Sequence, residues 1–345
     1  MSQPSPSRRH PRRRHALAGP LASALLALAA LTAGCGDDGS GTGQPDSAGA
    51  AAADARVDGD GPIGPGNPDA GTTTATDPAL DGTATVSERT ATIPGATAGR
   101  QVTATVYTPS SPGPRPLVVI SPGFQMARTQ YASYARHLAT WGFAVVLADY
   151  AGSLFPNHQD LAADVRAVIT WALADSALAA DPTKVATAGH SLGGKVSTLV
   201  AIADDRVRAV VAWDPVDSNA PSAIDGLGGT SAAIAVVGET TNGSGGFMPC
   251  APAADNFTQF YAAAGSPALQ MTMVGADHMD WVDDPGCPLC GFCTAGTLAP
   301  SVVRTASRRL DVAWLRRHLL ADMAMEPWLT SPPEVGAGQA MVLRK

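Results

Sequence analysis

Beyond residue 34 the chain has no run of basic residues, no internal repeat and little charge of either sign. The missing basic run excludes the usual electrostatic footprint for nucleic acid or an anionic membrane surface. Charged residues make up only 15% of the chain while hydrophobic ones reach 45%, so a sizeable core can form. Long apolar runs are scarce as well: one extends from Ala16 to Ala33, after a basic stretch holding Arg8, Arg9, Arg12, Arg13 and Arg14. It is rich in Ala and barely reaches the roughly 20 residues a spanning helix needs. A basic start, an apolar middle and a small-residue end predict that residues 1–34 are an export signal rather than part of the fold.

The end of that run, Leu31-Thr32-Ala33-Gly34-Cys35, is similar to the bacterial lipobox. The similarity implies that Cys35 becomes the first mature residue and carries lipid, anchoring an exported protein at the cell envelope. A plain signal peptide, giving a secreted protein, is the alternative. Removing five arginines and no acid takes the net charge from −7 to −12. Residues 35–85 are mostly Gly, Ala, Asp, Thr and Pro, with almost no large apolar side chain. Such a stretch cannot bury enough surface to offset its ordering entropy, which predicts a disordered tether.

From about residue 86 the texture changes. The segment 101–108 alternates like an edge strand, and short β-branched runs follow at 116–121, 143–149, 184–189, 207–213, 232–238 and 268–274. Runs of this kind suit strands buried on both faces. Helical patterns lie between them at 131–140, 161–174, 192–203, 256–264 and 302–320. The alternation predicts a mostly parallel central sheet with helices on both faces over 86–322. Pro327, Pro332, Pro333 and several glycines predict a loosely structured tail over 323–345.

Gly189-His190-Ser191-Leu192-Gly193 fits G-x-S-x-G and lies between an expected strand and an expected helix. That is the setting of the nucleophile elbow of the α/β-hydrolase fold, with Ser191 as the nucleophile. A serine hydroxyl is weak and needs a base. In this fold the order is Ser, acid, His, and only two of seven histidines follow Ser191 at a distance. His318 falls in the expected C-terminal helix, whereas His278 comes just after the last strand and is the expected base. The acid stays open at this point. Asp214 ends one strand, Glu239 ends the next, and Asp217 is a third candidate. The oxyanion hole is expected from the N–H of Leu192 and that of Phe124, in the turn Pro122-Gly123-Phe124. The Gly-rich stretches 218–231 and 240–250 are expected to border the substrate pocket.

Apart from Cys35, four cysteines remain: Cys250, Cys287, Cys290 and Cys293. An even set in an exported domain predicts two disulfides, with three pairings open. The C-x-x-C-x-x-C spacing would suit a metal in a cytosolic protein; here no metal is expected.

Several stretches together resemble the chlorophyllase family of α/β-hydrolases. They are Pro122-Gly123-Phe124 with Trp141-Gly142-Phe143, the elbow through Lys195, Asp214-Pro215-Val216-Asp217, and Pro249-Cys250-Ala251-Pro252. His278-Met279-Asp280 and the Cys287–Cys293 cluster complete the set. Plant members usually carry Arg where this chain has Leu192. The resemblance implies an α/β-hydrolase fold, hydrolysis of a carboxylic ester through an acyl-enzyme, no cofactor, and Asp214 as the acid. The implied partner is a small-molecule or lipid-like ester. The region Ser121-Pro122-Gly123-Phe124 is also similar to cutinase-like polyester or lipid hydrolases, which place their acid after the following strand. A surface lipoprotein that keeps the scaffold only for binding is the non-enzymatic alternative.

Overall fold

The computed structural model describes residues 76–150, 156–244, 249–284 and 290–345. Among them, nine strands form one sheet: β1 (Val86–Pro94), β2 (Gln101–Pro109), β3 (Arg115–Ser121), β4 (Ala144–Ala148), β5 (Ala180–His190), β6 (Val207–Trp213), β7 (Ala233–Glu239), β8 (Ala268–Met273) and β9 (Ala340–Arg344). Their spatial order is β1-β2-β4-β3-β5-β6-β7-β8-β9. In that order the six strands from β4 to β8 run parallel, while β2 pairs antiparallel with β4, β1 with β2, and β9 with β8. The helices are α1 (Ala132–Thr140), α2 (His158–Ala174), α3 (Leu192–Ala203), α4 (Phe257–Ala263), α5 (Pro300–Leu319), α6 (Glu326–Thr330) and α7 (Pro333–Gly336).

Side chains on a strand alternate between faces, and here both faces are apolar. Val118 and Ile120 of β3 join one core with Tyr134 of α1 and Leu310 and Trp314 of α5. Leu117 and Val119 join the other, with Val165 of α2, Val196 of α3 and Phe260 of α4. Each fully buried Val, Leu or Phe contributes about 1.5–3 kcal/mol, which explains why the parallel strands read as unbroken apolar runs. Helix starts are marked as the residues dictate. Asn157 accepts hydrogen bonds from the first-turn N–H groups of α2, and Asn256 does so for α4, while Pro300 opens α5.

The edges depart from the sequence-based expectation. The segment 101–108 is not an edge, because β1 pairs with β2 along its whole length, from Val86 opposite Pro109 to Pro94 opposite Gln101. β1 is mostly exposed, so it carries polar side chains and shows no apolar run. The expected tether also ends sooner than residue 85. Arg309 Nε donates to Asp77 Oδ1 at 2.8 Å, His137 Nε2 donates to the Pro78 carbonyl at 2.8 Å, and Trp141 Nε1 donates to that of Leu80 at 2.8 Å.

The tail is ordered rather than loose. Pro327 and Pro333 sit in the first turns of α6 and α7, where a missing N–H costs nothing, and Pro332 immediately precedes α7. Beyond them β9 runs antiparallel to β8, from Ala340 opposite Met273 to Arg344 opposite Leu269. Glu334 of α7 pairs with the buried Arg309 of α5. Proline marked a break in the chain; it did not mark loss of structure.

Candidate active site

The central strands end along one edge of the sheet, and three of those ends carry the site. β5 turns into α3 through Ser191, whose backbone has φ 53° and ψ −118°. A non-glycine residue in that region is strained and persists only where its surroundings hold it. The hold is visible. Ser191 N–H donates to the Trp213 carbonyl at 2.9 Å, and the turn is too tight for side chains on either side. A Cβ on Gly189 would lie 2.5 Å from the Gly193 carbonyl carbon, and one on Gly193 would lie 2.1 Å from the Ser121 carbonyl oxygen. Serine at a helix N-cap ordinarily bonds the first-turn N–H groups. Ser191 makes no such bond; its Oγ instead lies 2.9 Å from His278 Nε2.

His278 Nδ1 lies 2.6 Å from Asp214 Oδ2. A carboxylate only accepts, so Nδ1 carries the proton and Nε2 is left as the acceptor for the serine hydroxyl. Asp214 follows β6 with φ 39° and is fully buried, and its N–H donates to the Val237 carbonyl at 2.6 Å. His278 stands on the turn after β8, where Asp277 accepts from Met279 N–H at 2.8 Å and from Gly296 N–H at 2.7 Å. Thus Ser191, His278 and Asp214 form one row from three separate strand ends.

Of the other two acids weighed in the sequence, neither meets the imidazole. Asp217 forms an ion pair with the buried Lys195 at 3.0 Å and accepts from Ser222, Ala223 and Ile224. Glu239 turns one oxygen to the N–H groups of Thr241 and Asn242, the latter at 2.7 Å. Its carboxyl is pushed up to about 7, first by burial and then by the charge of Asp214.

Leu192 opens α3, so its N–H has no acceptor four residues back in the helix. The Phe124 side chain is about half exposed, and the neighbouring Gly123 N–H donates to Tyr131 Oη at 3.2 Å. Tyr131 in turn is 2.8 Å from His190 Nδ1, and His190 Nε2 donates to the His278 carbonyl at 2.8 Å. A carbonyl only accepts, so Nδ1 must accept the tyrosine proton. Burial, reinforced by the nearby His278, holds His190 well below the usual imidazole range, and it stays neutral. This relay joins the Gly123 turn, the elbow and the His278 turn. Sequence reading treated His190 only as a variable position of the motif and gave Tyr131 no role.

Asn242 was missed too, although it lies in a Gly-rich stretch expected near the pocket. It accepts from His278 N–H at 2.8 Å and donates to the Thr294 carbonyl at 3.0 Å. Cys250 and Cys293 form a disulfide, tying the stretch after β7 to the segment before α5. Cys287 and Cys35 lie outside the described residues. With Cys35 go the expected lipid anchor and export signal, and with Cys287 the expected second bridge.

The sheet order, with its antiparallel second strand and a strand–Ser–helix elbow after β5, is that of an α/β-hydrolase. Within that class the sequence matches the chlorophyllase family over residues 79–326, most of the chain, and the protein belongs to that family. Chlorophyllase-1 of Arabidopsis thaliana is 26% identical over 262 residues, covering 66% of this chain and 79% of the relative. Chlorophyllase-2 of the same plant is 23% identical over 248 residues, covering 63% and 77%. The chloroplastic Chlorophyllase-1 of Citrus sinensis is 26% identical over 278 residues, covering 68% and 83%. Among the described residues, no helix is long and apolar enough to cross a membrane.

Proposed function

We propose that this protein is a serine esterase that cleaves carboxylic esters through an acyl-enzyme. The observation that carries this reading is the row Ser191 Oγ–His278 Nε2 at 2.9 Å and His278 Nδ1–Asp214 Oδ2 at 2.6 Å. In the first step His278 Nε2 takes the hydroxyl proton as Ser191 Oγ bonds to the ester carbonyl carbon. The carbonyl oxygen gains the negative charge, and the N–H groups of Phe124 and Leu192 hold it. Asp214 stabilises the imidazolium, which then gives its proton to the leaving alcohol oxygen as the C–O bond breaks. In the second step water gives a proton to His278 and attacks the acyl carbon. Ser191 leaves with that proton and the acid product is released. The chemistry requires no cofactor.

Pairing of His278 with Asp214 rather than Glu239 favours the chlorophyllase-like reading over the cutinase-like one. The substrate class proposed is a small-molecule or lipid-like ester. An exported protein anchored through Cys35 would meet such esters at the cell envelope; that part rests on the N-terminal sequence alone. A panel of nitrophenyl esters of rising chain length, run beside one long-chain isoprenoid ester, tests the reading. Turnover of at least one panel member is expected, falling by at least about 10³-fold in His278→Ala. No turnover by the wild type, or equal turnover by the variant, would overturn it.

A further inference from the structure

Two buried carboxyl groups stand at neighbouring strand ends, and each has an oxygen with no donor. β6 and β7 pair in register, Trp213 opposite Val237, and the Asp214 N–H donates to the Val237 carbonyl. Asp214 therefore lies next to the end of β7, where Glu239 sits two residues beyond Val237. Asp214 is wholly buried and Glu239 is 3% exposed. Asp214 gives Oδ2 to His278, and Glu239 gives Oε2 to the N–H groups of Thr241 and Asn242. Asp214 Oδ1 and Glu239 Oε1 have no hydrogen-bond partner. Two adjacent charged carboxylates, each with an orphan acceptor, are costly in a dry interior, and one shared proton removes both faults.

We propose that Glu239 is a positioning residue which, in its neutral form, donates a hydrogen bond from Oε1 to Asp214 Oδ1 and so fixes the carboxylate that orients His278. The inference rests on the triad reading above and adds a fourth member to it. The groups that face Glu239 bear this out in kind. Asp214 comes from the β6 end, His278 comes from the turn after β8, and the turn that follows Glu239 contributes the backbone N–H groups of Thr241 and Asn242. Burial and the Asp214 charge raise the carboxyl to about 7, against the opposing pull of those N–H groups and of His278. Below that pH the side chain is neutral and donates. Above it a second negative charge faces Asp214 and the hydrogen bond is gone. The same side chain has a second hold on the site, because Asn242, bound by Oε2, accepts the N–H of His278.

The test compares Glu239→Leu, Glu239→Gln and the wild type across pH 5–9, with Asp214→Asn as reference. Glu239→Leu is expected to lower kcat by about 10–100-fold with KM little changed. Glu239→Gln, whose amide donates at every pH, is expected to recover most of that loss. The wild-type profile should show a break near pH 7, and this break should vanish in Glu239→Gln. If Glu239→Leu does not fold, the break alone decides. A glutamine variant as impaired as the leucine one, or a break that survives in it, would overturn the inference. So would wild-type behaviour of both variants at all pH values. Should Asp214→Asn itself keep full activity, the triad reading fails instead, and the two failures are thereby told apart.

Discussion

Asp214→Asn is expected to lower kcat by on the order of 10³–10⁴-fold while the protein stays folded. The cause is the tautomer. Asp214 Oδ2 lies 2.6 Å from His278 Nδ1 and, being a carboxylate oxygen, can only accept, which leaves Nε2 bare to face Ser191 Oγ at 2.9 Å. An amide at 214 can present an N–H instead, and the proton then sits on Nε2, where it blocks removal of the serine proton. Burial sharpens the effect, because no water reaches the 0% exposed side chain to restore the balance. Steady-state kinetics on a nitrophenyl ester, with thermal unfolding as a check on folding, measure it. A loss of less than about 10-fold would mean that another group orients the imidazole.

Gly193→Ala is expected to cost more than about 4 kcal/mol of stability, in the range reserved for severe steric or core defects. The added Cβ would lie 2.1 Å from the Ser121 carbonyl oxygen and 2.5 Å from that of Pro122. Both are backbone atoms, at the end of β3 and the start of the Phe124 turn, so no side chain can swing aside. Whatever fraction folds must shift that turn. An oxyanion donor displaced with it would cost about 10²–10³ in rate. Gly228→Ala and Gly229→Ala serve as controls, since a Cβ at either position meets nothing within 4 Å. Denaturant unfolding of the three variants is the measurement. Equal stability for all three would show that the elbow is slacker than its geometry indicates.

The parts of this molecule legible in the sequence are those whose physics is local. The parallel strands read as apolar runs because both faces are covered, and 207–213 coincides with β6 to the residue. The elbow is readable because a strained serine demands small residues at fixed offsets, and Gly189 and Gly193 supply them. What could not be read depends on partners far away in sequence. β1 and β9 exist because β2 and β8 offer them edges, and neither carries a pattern of its own. The choice among Asp214, Glu239 and Asp217 likewise turned on which strand end faces His278, 64 residues beyond Asp214. Spacing could not supply that; the resemblance to a known family favoured Asp214. The Tyr131–His190–His278 relay left no trace, because a buried histidine beside the elbow serine looks like any other filler of the motif.

Covalent labelling with a fluorophosphonate probe, followed by mass spectrometry of the adduct, addresses the proposed nucleophile directly. A single adduct on Ser191 in the wild type, and none in a folded Ser191→Ala variant, is the predicted result. An adduct on another residue, or labelling that survives in Ser191→Ala, would contradict it by placing the nucleophile elsewhere, and no adduct at all would leave the scaffold as a binding module.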